Sequence, residues 1–102
     1  MEILTQPNVK YYDNYIDFGS IKLNSKALTT LTFVGNMSDF QIKAGCMCTT
    51  TQPIKIDDNT IKVDVEYKNT HIKGEFEKTL VVSYKLQNKK HYMNLKIKGD
   101  VS

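Results

Sequence analysis

The residue types able to do chemistry in this chain are few and thinly spread. Cys46 and Cys48 stand two apart, and on an extended strand that spacing aims both thiols to one side, as two thiolate ligands would be. A closed zinc site needs four ligands, usually as two spaced pairs, and the sequence holds no second pair. A disulfide between them would close a small, strained ring, so the expectation is two free, partly buried thiols beside the third strand. His71 and His91 stand singly in separate turn-rich stretches. Asp57-Asp58-Asn59 opens like a calcium loop, yet it lacks the glycine and distal glutamate of one, and Asp/Asn clusters also favour turns. Nucleophile elbows, phosphate loops and His-Glu-x-x-His helices are missing. The sequence therefore predicts no catalytic residue, no metal site, no cofactor and no enzymatic activity.

A different chemistry belongs to the tyrosines. Tyr11, Tyr12 and Tyr15 cluster near the start of the chain, beside Val9 and Ile16. Tyrosine buries a large area while keeping a polar tip, which suits it to interfaces. These three are the candidate interface residues. The alternative is that they cover an open end of the fold, and the residues alone leave both readings standing.

The elements that must position them follow a period of two. Ile61, Val63, Val65 and Tyr67 alternate with Lys62, Asp64 and Glu66, the pattern of a half-buried strand. Phe76, Leu80, Val82 and Tyr84 share a phase, as do Met93, Leu95 and Ile97. Shorter runs hold Leu31 with Phe33 and Phe40 with Ile42. No stretch sustains a helical period, and Thr, Ile, Val and Tyr dominate the runs. Turns are expected at 17–20, 35–39, 57–59 and 68–74, with a hairpin at Gln87-Asn88-Lys89-Lys90. About seven short strands with regular turns indicate an all-β, immunoglobulin-like antiparallel sandwich. Residues 1–14 are expected to form an N-terminal arm or first edge strand, and residues 15–102 the sandwich domain. The expected core is Ile16, Phe18, Leu31, Phe33, Phe40, Ile42, Ile61, Val63, Val65, Phe76, Leu80, Val82, Leu95 and Ile97.

Charge narrows the partners. The net charge is +3, carried by fourteen lysines and no arginine. Lysine lacks the planar fork with which arginine grips phosphates and guanines. The lysines also alternate with apolar residues, as in Leu95-Lys96-Ile97-Lys98, which places them along a solvated strand face. Nucleic acid and membrane are therefore not expected as partners. The first residues show neither a basic stretch nor a long apolar run, so no secretion leader is expected.

Several short patterns occur in order. Ile16-Asp17-Phe18-Gly19-Ser20-Ile21 precedes a Thr-rich run ending Phe33-Val34-Gly35-Asn36. Then come Ala44-Gly45-Cys46-Met47-Cys48-Thr49, Gly74-Glu75-Phe76-Glu77-Lys78-Thr79 and Leu95-Lys96-Ile97-Lys98-Gly99-Asp100-Val101. From about residue 9 to 101 this order resembles bacterial immunoglobulin-like domains of unknown function, themselves similar to hydin-like and major-sperm-protein-like sandwiches. Met47 stands where that family usually has glycine. The resemblance implies a scaffold or adhesion module with no known catalytic site, and many members follow a lipoprotein or secretion signal. Stand-alone domains of this type look like virion accessory proteins of tailed phages.

The expected function is therefore a non-catalytic structural or interaction module. Its expected partner is a protein, a repeating lattice such as a major capsid protein, where avidity multiplies weak contacts; the expected location is the virion. The alternative is a cell-surface or periplasmic adhesion or scaffold domain of a bacterium. A small binding protein for nucleic acid or metal is disfavoured by the missing arginine and the missing ligands.

Overall fold

A computed structural model describes residues 1–45, 49–69 and 72–102, with Thr50 described by its backbone. Nine strands follow one another: β1 (Glu2–Thr5), β2 (Lys10–Tyr12), β3 (Tyr15–Ile21), β4 (Lys26–Val34), β5 (Ser38–Ala44), β6 (Thr49–Asp57), β7 (Thr60–Lys68), β8 (Gly74–Leu86) and β9 (Lys89–Val101). They form two sheets, ordered β1-β4-β7-β6 and β2-β3-β9-β8-β5. The first matches the ABED order of an immunoglobulin-type sandwich, and β9-β8-β5 matches GFC. The chain is an all-β sandwich.

The alternation read from the sequence builds this packing directly. Ile61, Val63, Val65 and Tyr67 turn inward from β7, while Lys62 and Asp64 stay in solvent. Ile16, Leu31, Phe33, Leu80, Val82, Leu95 and Ile97 are also buried, as expected. Phe18, Phe40, Ile42 and Phe76 are only partly buried and pack at the margin of the core. Val9, Ile21, Met37, Tyr67, Tyr84 and Val101 complete the core and were not anticipated. Val9, Ile21, Met37 and Val101 sit next to turns or strand ends, where a period of two is too short to read, whereas Tyr67 and Tyr84 continue the inward phase of β7 and β8.

Three expectations need correction. Among the described residues there are nine strands where about seven were expected, and one pairing, β3 with β9, is parallel. β6 was missed because its first residues are polar and Pro53 interrupts it. A proline is tolerated in an edge strand, and β6 pairs with β7 alone. Asp17-Phe18-Gly19-Ser20 does not end a strand; it lies inside β3 as a bulge, with the register against β9 shifting between Asp17 and Ser20. Within residues 1–14, Glu2–Thr5 pairs with β4 and Lys10–Tyr12 with β3, each at the edge of its sheet.

Two tight hairpins decide what faces outward. Gln87 and Asn88 both have positive φ (50° and 65°) and link Leu86 directly to Lys89, the geometry of a type I′ turn that matches the twist of the flanking strands. Asp13 and Asn14 do the same (φ 48° and 63°) between Tyr12 and Tyr15. Asx residues tolerate this left-handed conformation because their short side chains bond locally.

Candidate functional site

The β2–β3 hairpin separates the three candidate tyrosines. Successive side chains on a strand point to opposite faces, so neighbours Tyr11 and Tyr12 part company. Tyr11 packs against the core, and its hydroxyl donates to Asn14 Oδ1 at 3.1 Å. Burial pushes its phenol up from the ordinary value. Tyr12 and Tyr15 are direct cross-strand partners and project outward instead. Their rings stack with centroids 5.9 Å apart at 25°. The structure thus brings two of the three together and packs the third against the margin of the core.

Strand β9 supplies the rest of this face. The parallel register sets Lys96 beside Tyr15 and Lys98 beside Asp17. Lys98 Nζ lies 4.9 Å from the Tyr12 ring centroid and 5.2 Å from that of Tyr15. Lys96 Nζ lies 5.7 Å from the Tyr15 centroid. Ammonium groups at such distances are held by the negative face of the ring. These lysines belong to the solvated stripe expected from the sequence, but each stands over an aromatic ring.

One carboxylate closes the arrangement. Glu77 on β8 meets Lys96 at 3.2 Å. Its hydrogen bond to Lys96 holds the carboxyl below the ordinary glutamate range, with the Tyr15 hydroxyl and the Lys98 charge acting in the same direction. In return, Glu77 raises the Lys96 ammonium, and a hydrogen bond with Tyr12 raises that of Lys98. Near neutrality Glu77 is therefore held as the anion, and Lys96 and Lys98 as cations. The face offers two cations, an anion and two aromatic rings to polar and aromatic contact.

A groove of about 620 Å³ continues from the same face, lined by Asp17, Gly19, Ser20, Glu75, Phe76, Glu77, Lys98, Gly99 and Asp100. Its floor explains several of the short sequence patterns. Gly19 has φ 71°, and its N–H donates to Asp17 Oδ1 at 2.8 Å, so the aspartate side chain holds the bulge of β3. A side chain at Gly99 would come within 2.8 Å of the Phe76 ring and 2.9 Å of the Gly19 carbonyl. The vacancy lets Phe76 lie flat on Tyr67, with centroids 3.9 Å apart at 7°. Phe76 belongs to one sheet and Tyr67 to the other, so the stack ties the two layers. Asp17, Gly19, Phe76 and Gly99 have a structural part here.

Cys46, Cys48 and His71 lie outside the described residues. His91 stacks on Tyr84 at 5.5 Å and 15°. Among the described residues no group of three or more His, Cys, Asp and Glu side chains stands close enough to hold a metal ion. No helix among them is long and apolar enough to cross a membrane. Sequence reasoning missed Lys96, Lys98 and Glu77 as members of the face. Tyr12-Asp13-Asn14-Tyr15 did carry a usable signal, since a two-residue Asx loop between like residues makes them cross-strand partners. The lysines had none, because a parallel register between distant strands leaves no local mark.

The family model described as a protein of unknown function, DUF1573, matches residues 9–101. The matched span takes in β2 through β9, and the chain belongs to this family. Among curated proteins none matches.

Proposed function

We propose that this DUF1573 domain is a non-catalytic interaction module that binds a protein partner through the outer face of its five-stranded sheet. The observation that carries the reading is the Tyr12–Tyr15 stack under Lys98, with the Lys96–Glu77 pair beside it. Tyr12 stays 41% exposed although its neighbours are in place, so ring area remains for a partner. Aromatic and charged groups held rigidly on a strand face cost little further entropy on binding. A single small face of this kind gives weak contacts, and repetition on a lattice turns weak contacts into stable attachment. An accessory role on a large assembly, such as a phage capsid, is the use we favour.

The test is density-gradient sedimentation of the protein from its producing culture, followed by mass spectrometry. Co-migration with large particles at a fixed copy ratio, lost in the Tyr12→Ala, Tyr15→Ala double variant, is the expected result. Migration as a small species overturns the assembly role. Migration with cell envelope overturns it as well, in favour of a bacterial surface or periplasmic scaffold.

A further inference from the structure

We propose that the edge of β9 from Lys90 to Asn94 accepts an added β-strand from a partner protein, an extended segment that alternates acidic and apolar side chains. The inference rests on the domain being a protein-binding module, but not on the tyrosine–lysine face.

The edge exists because β3 is short. β9 runs from Lys89 to Val101, whereas β3 joins it only from Lys96 onward, opposite Tyr15. The Lys96 N–H donates to the Asn14 carbonyl at 2.9 Å, so the Lys96 backbone points away from β8. The β8–β9 register runs unbroken from Leu86↔Lys89 to Gly74↔Val101. In an antiparallel ladder alternate residues direct both backbone groups to the same side. Lys90, Tyr92 and Asn94 therefore aim their N–H and C=O groups as Lys96 does, and among the described residues no strand pairs with them there. Such a row is a template for strand addition.

The side chains define the guest. On the outer face Lys90 stands directly opposite Lys85, and like charges placed so are unfavourable. Lys85 has Asp39 at 3.2 Å. Lys90 forms no ion pair among the described residues and lies instead 5.3 Å from the centroid of Tyr92, itself 68% exposed. A carboxylate arriving beside Lys90 relieves the repulsion. On the inner face Met93 is half-buried against the core, so the guest's inward residues meet an apolar margin. A second copy fits poorly. β9 carries Lys89, Lys90, Lys96 and Lys98 before its first carboxylate at Asp100, and two such edges brought together concentrate one sign of charge. Lysines on an edge discourage self-pairing and favour an acidic guest by the same field.

The experiment uses the full chain labelled with 15N and a blocked hexapeptide, acetyl-Val-Glu-Val-Glu-Val-Glu-amide, in millimolar excess. Amide exchange at Lys90, Tyr92 and Asn94 is expected to slow by roughly tenfold, the protection of newly formed strand bonds, with Lys89, His91 and Met93 unchanged. Lys90→Glu is expected to weaken binding roughly fivefold, the scale of an exposed charge contact. The Tyr12→Ala, Tyr15→Ala variant is expected to bind the peptide normally, so failure of this edge and failure of the sedimentation test are read separately. No slowing at the three amides overturns the proposal. So does equal slowing by a peptide with lysine in place of glutamate, or slowing that rises with protein concentration alone, which assigns the edge to a second copy.

Discussion

The Lys98 ammonium stands over two tyrosine rings at once, 4.9 Å from the centre of Tyr12 and 5.2 Å from that of Tyr15. Tyr12 and Tyr15 face each other across a two-residue hairpin, while Lys98 arrives from β9, more than eighty residues later. The cluster is thus a local stack capped by a long-range contact. Its two parts respond differently to substitution.

Removing one ring should be visible at the other. Tyr15→Ala is expected to leave the far-ultraviolet circular dichroism unchanged and to shift the Tyr12 ring protons downfield, because the ring current of the stack is lost. Tyr11→Ala should leave those protons in place and instead destabilise the domain by about 1–3 kcal/mol, since Tyr11 packs inward. Urea unfolding of the two variants separates these outcomes.

Gly99→Ala is expected to cost about 1–3 kcal/mol, the scale of overpacking in a close-fitted core. The added methyl would meet both the Phe76 ring and the Gly19 carbonyl. Phe76→Leu in the same chain should recover part of the loss, because it relieves the ring contact but not the backbone one. A double-mutant cycle in urea reads this coupling.

The pH dependence of the face follows from Glu77. Its folded-state value lies below the ordinary one, mainly through Lys96. The pair's stabilising effect is therefore complete above the ordinary glutamate range and lost as pH falls through the folded value. Carbon-detected titration of Glu77 should show the depressed midpoint, and Lys96→Met should move it upward. Lys96 itself is raised by Glu77, so its share persists until pH climbs through that raised value.

The β8–β9 turn leaves stability unused. Gln87 holds φ 50°, a left-handed conformation that glutamine adopts less readily than asparagine or glycine. Gln87→Asn with Asn88→Gly supplies the pair favoured in type I′ turns and is expected to add roughly 0.5–1 kcal/mol by relieving the left-handed strain. For a domain of this size that raises Tm by about 2–8 °C. A calorimetric scan checks it.

The sandwich was legible because burial imposes a period of two wherever a strand has one dry face. Ile61-Lys62-Val63-Asp64-Val65 needs nothing beyond its own alternation to become β7. The 87–88 hairpin was legible for a similarly local reason, the turn-favouring Asn88, whereas the 13–14 hairpin was not read. β6 escaped because a polar edge strand broken by Pro53 carries little hydrophobic signal. Tyr11, Tyr12 and Tyr15 could be named as a cluster, but their division between core and surface depended on the 13–14 hairpin.

What the sequence by itself determined is the all-β class, most of the buried positions and the tyrosine-rich segment, since each is written in residues close along the chain. Tertiary structure alone decided that Lys96 and Lys98 cover those rings, that Gly99 makes room for Phe76, and that β9 outruns β3 to leave an open edge. Those relationships come from the parallel register of β3 on β9 and from the lengths of paired strands. Register between distant strands is set by the packing of whole faces, and no short stretch of sequence records it.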